Sequence, residues 1–221
     1  MTAVVFDFDG VLADTEPLHL RAFQETFAAR GWSLDPGSYV ERYLGYDDAG
    51  LVEVFARDRG LALDADDVGA LLDAKSRAYR RLIESGAVLC PGAARCVARL
   101  ATRHPLAIAS GALRAEITDI LEGAGLLAPF RAVVGVDDVA RSKPAPDCYL
   151  RAAELLGVPP HDCVAVEDSR RGLEAARSAG MRTIAVTTTS PAADLAAADR
   201  ILTDLTALTD AVIDELLAGG R

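Results

Sequence analysis

Short apolar runs and longer amphipathic stretches take turns along this chain. The runs at 4–8, 106–110, 132–136, 163–167 and 183–186 have strand length, are rich in Val, Ile and Ala, and are bounded by polar or turn residues. Between them, 113–121, 147–156 and 172–179 carry apolar residues at helical spacing. Such alternation predicts an α/β fold, a Rossmann-like, mostly parallel sheet covered by helices on both faces. In sheets of this kind, ligands collect at the carboxyl ends of the strands.

One segment breaks the pattern. From 16 to 85 the chain reads as helices only, with turn signals at Asp35-Pro36-Gly37 and around Gly60. The simplest organisation is a core domain of 1–15 and 86–221 with a small all-helical cap domain, 16–85, inserted after the first strand. The chain would rejoin the sheet near Pro91-Gly92, and the insert is placed to act as a lid. The Ala-rich stretch 191–198 reads as a helix or loop near the surface.

Composition narrows the class. With 221 residues, 51% of them hydrophobic, the chain can bury a substantial core. A formal charge of -10 argues against general nucleic-acid binding. Met1–Phe8 lacks the basic region of a signal peptide, and no apolar run approaches the roughly 20 residues that span a bilayer. The expectation is a cytoplasmic protein, a monomer or weak homodimer, with no nucleic-acid or membrane partner. Cys90, Cys96, Cys148 and Cys163 are scattered without metal-ligand spacing and read as reduced thiols in or near the core.

The predicted strands end in distinctive polar groups. The first delivers Asp7 and Asp9, the second ends in Ser110, and the run CVAVEDS ends in Glu167 and Asp168. Parallel strands would gather these ends, and clustered carboxylates raise each other's pKa unless a cation sits among them. A hard divalent ion with oxygen ligands suits such a site, and Mg²⁺ completes its shell with water and substrate phosphate. Only two lysines occur. Lys143, in RSKPAPD, is fixed by the prolines that follow it and offers a compact ammonium. Lys75 lies mid-helix beside polar neighbours and reads as part of a solvated face. Singly, Asp-x-Asp reads as a loop or cap, Glu-Asp-Ser as an N-cap and Ser110 as a turn residue; their order at strand ends is what points to a site.

DFDGVLADTEPLH, IASG, KPAPDCY and VEDSRRG resemble, in order and spacing, the four motifs of the haloacid dehalogenase-like hydrolase superfamily. The helical insert resembles the cap of its branch holding phosphoglycolate phosphatases, sugar-phosphate phosphatases and β-phosphoglucomutases. The resemblance implies Asp7 as a nucleophile forming an aspartyl phosphate, and Asp9 as general acid and base. It implies Ser110 and Lys143 as holders of the phosphoryl oxygens, and a Mg²⁺ on Asp7, Asp9 through its backbone carbonyl, and Asp168, with Glu167 as a ligand or its support. His19 and Gly45 in the cap, and Gly111 and Arg114 after the second motif, are the substrate-binding positions it suggests. Dehalogenases of the superfamily lack the second Asp, so Asp9 favours phosphoryl transfer on a small phosphorylated metabolite.

Two activities share this pattern, a phosphatase and a β-phosphoglucomutase-like mutase. The mutases resemble the chain around Gly45 but carry a lysine where Leu44 stands and an arginine where Asp48 stands. They also carry a Ser-Lys pair after the second motif, where this chain has SGALRAE, with Arg114 as the available cation. Losing charge-assisted contacts works against retaining a bisphosphorylated intermediate, so hydrolysis is the expected reaction.

Overall fold

The computed structural model describes residues 1–84 and 88–218. The chain divides into two compact units, Met1–Asp14 with Val88–Arg221, and Thr15–Ala87. The 85/86 boundary expected from the sequence lies outside the described residues.

The first unit is a parallel sheet. Strand β1 (Ala3–Phe6) occupies its middle, and every residue of AVVF is buried, as a strand covered on both faces requires. After β1 come β2 (Ala13–Asp14) and, beyond the second unit, β3 (Val88–Leu89), α5 (Ala93–Leu100), β4 (Leu106–Ala109), α6 (Arg114–Gly123) and β5 (Phe130–Val134). Then follow α7 (Asp147–Leu156), β6 (Cys163–Glu167), α8 (Arg170–Ser178), β7 (Arg182–Val186), β8 (Arg200–Leu202) and α9 (Asp210–Ala218). The strand order is β5-β4-β1-β6-β7-β8, with parallel pairing throughout. The chain works outward from β1 on one side, then crosses to the other, so the switch point of the topology lies at the end of β1.

Each predicted strand is present, with ends shifted by up to two residues. Three short strands were not foreseen. Strands β2 and β3 form an antiparallel pair, Ala13 opposite Leu89 and Asp14 opposite Val88, where the chain leaves and re-enters this unit. At two residues each they have no readable periodicity, and β8 lies at the sheet edge with a mixed three-residue sequence. The 191–198 stretch is a series of turns. All four cysteines are buried and unpaired, as expected.

The second unit is helical: α1 (Glu16–Ala28), the single turn α2 (Pro36–Ser38), a wide π-turn over Tyr39–Tyr43, α3 (Asp48–Arg59) and α4 (Ala65–Glu84). Asp35 and Asp47 cap α2 and α3, accepting from Ser38 N (2.9 Å) and Gly50 N (2.8 Å). An aromatic core holds the helices together, with Phe27 stacked on Phe55 at 4.0 Å and Tyr39, Tyr43 and Leu71 buried around them. Among the described residues no helix is long and apolar enough to cross a membrane.

Candidate active site

The ends of β1 and β6 meet because the two strands pair in register from Ala3–Cys163 to Phe6–Val166. One further bond, from Asp7 N to the Val166 carbonyl (2.9 Å), continues the pairing and sets Asp7 beside Glu167 and Asp168. The chain then turns at once. Leu12 N and Ala13 N bond the Phe8 carbonyl, and Gly10 adopts φ +72°, a conformation that other residues rarely take.

Asp7, Glu167 and Asp168 are buried, and one carboxylate oxygen from each lies within 4.8 Å of the others. Lys143, on the loop between β5 and α7, places Nζ 3.0 Å from Asp7 Oδ1 and 2.6 Å from Glu167 Oε1. The Phe8 N–H donates to Asp7 Oδ1 at 2.7 Å. Glu167 is surrounded by donors: the Tyr149 hydroxyl (2.7 Å) joins Lys143 on Oε1, while Ser169 Oγ (3.0 Å) and the backbone N–H groups of Asp168 (3.1 Å) and Ser169 (3.3 Å) reach Oε2. These donors suit Glu167 to support the site by fixing Lys143 more than to ligate an ion.

The electrostatics follow from this packing. Burial, then the Glu167 charge, push the Asp7 carboxyl well above the usual range against the pull of Lys143. Burial and Glu167 likewise push Asp168 up to about 8. Burial also acts on Glu167, but Lys143 and the Tyr149 and Ser169 hydroxyls override it and hold this carboxylate ionised, below its ordinary range. Burial would lower the Lys143 ammonium, yet Asp7 and Glu167 outweigh it and hold the lysine above its ordinary range. One ammonium thus faces three carboxylates, two of which resist ionisation. A hard cation bound by oxygen would relieve them, so the donor set fits a divalent metal.

Of the other expected residues in this unit, Ser110 is buried after β4, within 3.4 Å of Asp9 Oδ2, and its Oγ also accepts from Ala112 N (3.0 Å). Gly111 is exposed and a Cβ there would meet open space. The Arg114 guanidinium is turned to Asp138 (3.5 Å), while its backbone N–H bonds Asp137 (2.9 Å).

In the helical unit, Gly45 is exposed with φ +87°, and Arg42 pairs with Asp58 at 2.6 Å. His19 belongs to a second polar cluster, which corrects the reading of Lys75. Lys75 is 1% exposed, not solvated: Nζ donates to Asp48 Oδ2 (2.6 Å) and lies 2.8 Å from His19 Nδ1. Its polar sequence neighbours mark other faces of α4, and Nζ itself lies over the rings of Tyr79 (4.6 Å) and Phe23 (5.3 Å). An ammonium has no acceptor, so Nδ1 accepts and the His19 proton sits on Nε2.

Two contributors were not singled out from the sequence. Tyr149 is entirely buried with its hydroxyl on Glu167; in the sequence it closes KPAPDCY, where it was given no role of its own. Gly172 lies in the first turn of α8, where a Cβ would collide with the Glu167 carboxylate. Ser169 both caps α8, accepting from Gly172 N (3.1 Å), and donates to Glu167, so cap and site coincide.

A family model described as haloacid dehalogenase-like hydrolase matches residues 1–180. The chain is 39% identical over 229 residues to protein CbbY of Rhodobacter capsulatus, covering 98% of this chain and 99% of that one. It is 32% identical over 183 residues to fructose-1-phosphate phosphatase YqaB of Escherichia coli, covering 83% and 95%. It superposes with TM-score 0.84, at 33% identity and 94% and 96% coverage, on an Asp-to-Asn variant of CbbY from Rhodobacter sphaeroides crystallised with xylulose 1,5-bisphosphate. A strand-end cluster of this kind, with near full-length likeness to such enzymes, gives one conclusion: the chain belongs to the haloacid dehalogenase-like hydrolase family and is an enzyme.

Proposed function

We propose that this enzyme is a Mg²⁺-dependent phosphatase that hydrolyses a small sugar phosphate through an aspartyl phosphate on Asp7. The observation that carries the reading is the Lys143–Asp7 contact of 3.0 Å inside a buried carboxylate cluster. It gives a nucleophile held next to a fixed positive charge.

In this reading Asp7 attacks phosphorus, and Asp9 gives a proton to the departing sugar oxygen. Asp9 then takes a proton from water, which attacks phosphorus and releases orthophosphate and free Asp7. Lys143 and the Ser110 hydroxyl accept the charge of the phosphoryl oxygens, and Glu167 keeps Lys143 in place. When bound, Mg²⁺ on Asp7, Asp168 and the Asp9 carbonyl would neutralise the transferring group. Phosphoryl transfer asks mainly for positioning and charge neutralisation, and these residues supply both.

Hydrolysis is favoured over mutase action because the cap's buried lysine is already paired. Asp48 takes the Lys75 ammonium at 2.6 Å, so the pair offers no net charge to retain a second phosphate. For the substrate, the ligand crystallised with the CbbY variant and the ester in the name of YqaB are both ketoses phosphorylated at C1. Ketose 1-phosphates therefore come first, ahead of phosphoglycolate. The four unpaired buried thiols suit a reducing compartment, in keeping with a cytoplasmic enzyme.

The test is a ³¹P NMR time course with Mg²⁺ on fructose 1-phosphate, glucose 1-phosphate and phosphoglycolate, seeded with glucose 1,6-bisphosphate. Orthophosphate growing at the expense of a ketose ester supports the proposal. Conversion of a 1-phosphate to a 6-phosphate without orthophosphate would overturn it in favour of a mutase.

A further inference from the structure

Three threonines, Thr187, Thr188 and Thr189, follow β7, and their hydroxyls have separate partners. Thr187 reaches the Thr203 carbonyl (3.4 Å), beside the edge strand β8 and away from the carboxylates. Thr188 Oγ1 donates to the Gly10 carbonyl, the first one after Asp9. The Thr189 hydroxyl stands beside the Asp168 carboxylate, both crowding the same point next to Gly10, where it can donate to it.

The contact is enforced by space. A Cβ at Gly10 would strike Asp168 Oδ2 and Thr189 Oγ1 together, so the turn after Asp9, the carboxylate and the hydroxyl converge on one point that only glycine leaves open. Strand β7 is hydrogen-bonded to β6, up to Ala185 opposite Glu167, which sets the loop after β7 against the end of β6. None of the four family motifs includes this loop.

We infer that Thr189 is a positioning residue for the metal site: its hydroxyl fixes the rotation of Asp168, while Thr188 pins the turn that presents Asp9. The inference rests on the reading of Asp7, Asp9 and Asp168 as the Mg²⁺ ligands. A hydroxyl that donates to a ligating carboxylate orders its oxygens before the ion arrives, and loss of such support typically weakens metal affinity by about 10- to 100-fold. Thr189 touches neither substrate nor the reacting atoms in this scheme; it acts through Asp168.

The experiment is calorimetric titration of Mg²⁺ into the intact protein, with no substrate, for the wild type, Thr189→Val, Thr189→Ala, Thr189→Ser and Thr187→Val. Both apolar variants should bind Mg²⁺ at least about tenfold more weakly, Thr189→Ser should stay within about threefold of wild type, and Thr187→Val should match it. Thermal unfolding in EDTA should not separate the Thr189 variants, because the hydroxyl orders a ligand and not the fold. Wild-type affinity in both apolar variants, or a Ser variant as weak as they are, overturns the inference. A wild type that binds no Mg²⁺ sinks the metal-site reading itself, a result separable from failure of Thr189 alone.

Discussion

The chain's two lysines are both set against carboxylates, Lys75 buried and Lys143 10% exposed, one in each unit, and they face opposite arithmetic. In the helical unit Lys75 meets a single carboxylate among the described residues, Asp48, with the His19 ring beside it, and the two charges balance. In the sheet unit Lys143 meets Asp7 and Glu167, with Asp168 beside them, so charge is left over. The contrast separates a balanced ion pair from an unbalanced cluster. A pair that balances asks nothing further of its surroundings, whereas an unbalanced cluster keeps two carboxylates reluctant to ionise and makes a place for a cation.

Mutations on the sheet side should break the contrast hardest. Asp7→Asn removes the proposed nucleophile and should lower kcat by about 10⁴-fold or more, while raising the melting midpoint in EDTA because one surplus charge is gone. Steady-state orthophosphate release and differential scanning fluorimetry read the two effects. Lys143→Met should lower kcat by about 10²- to 10³-fold and cost about 3 kcal/mol in urea unfolding, since it strips Glu167 and Asp7 of their shared cation. The opposite ranking, with Asp7→Asn destabilising in EDTA, would mean that the cluster is balanced after all.

The titration of the cluster sharpens the comparison further. Folded Asp7 and Asp168 hold their protons more tightly than in the unfolded chain, so the native state binds more protons over the interval between the two sets of pKa values. Their contribution to stability is fully present below about pH 4, the unfolded value, and is lost as pH rises through the folded value of about 8 for Asp168. Melting midpoints in EDTA should therefore fall between pH 5 and 8.5, and excess Mg²⁺ should flatten the decline by binding the ionised form. Asp168→Asn should show a shallower slope than wild type, and an equal slope would remove Asp168 as its source.

How much of this was legible in the sequence differs between the units. Asp7, Asp9, Ser110, Glu167 and Asp168 could be placed because each follows a continuous apolar run, and a parallel sheet aligns the ends of such runs. Lys143 was found through its scarcity and the prolines beside it. Gly172 was not, because close approach of a carboxylate to a helix leaves no periodic trace. Lys75 was misread because polar neighbours on a helix say which residues surround a position and not which face it takes. Its burial depends on α1 and α3 supplying His19 and Asp48 from 56 and 27 residues away. Such pairings are tertiary facts, and a local window does not contain them.

The smallest expected effect concerns that pair. Asp48→Asn leaves Lys75 without a counter-charge, but the Asp48 side chain is 41% exposed, so water already screens the pair that is lost. His19 Nδ1 and the rings of Tyr79 and Phe23 remain around the ammonium. We expect a loss of about 1 kcal/mol or less in urea unfolding, with Mg²⁺ affinity and its pH dependence unchanged. Lys75→Met should cost no more, since methionine fills the same apolar slot and Asp48 can turn to solvent. If either variant instead costs as much as Lys143→Met, the helical unit's pair is not balanced, and a further charge must lie close to it. The comparison between the two lysines would then rest on a wrong count of the groups that surround Lys75.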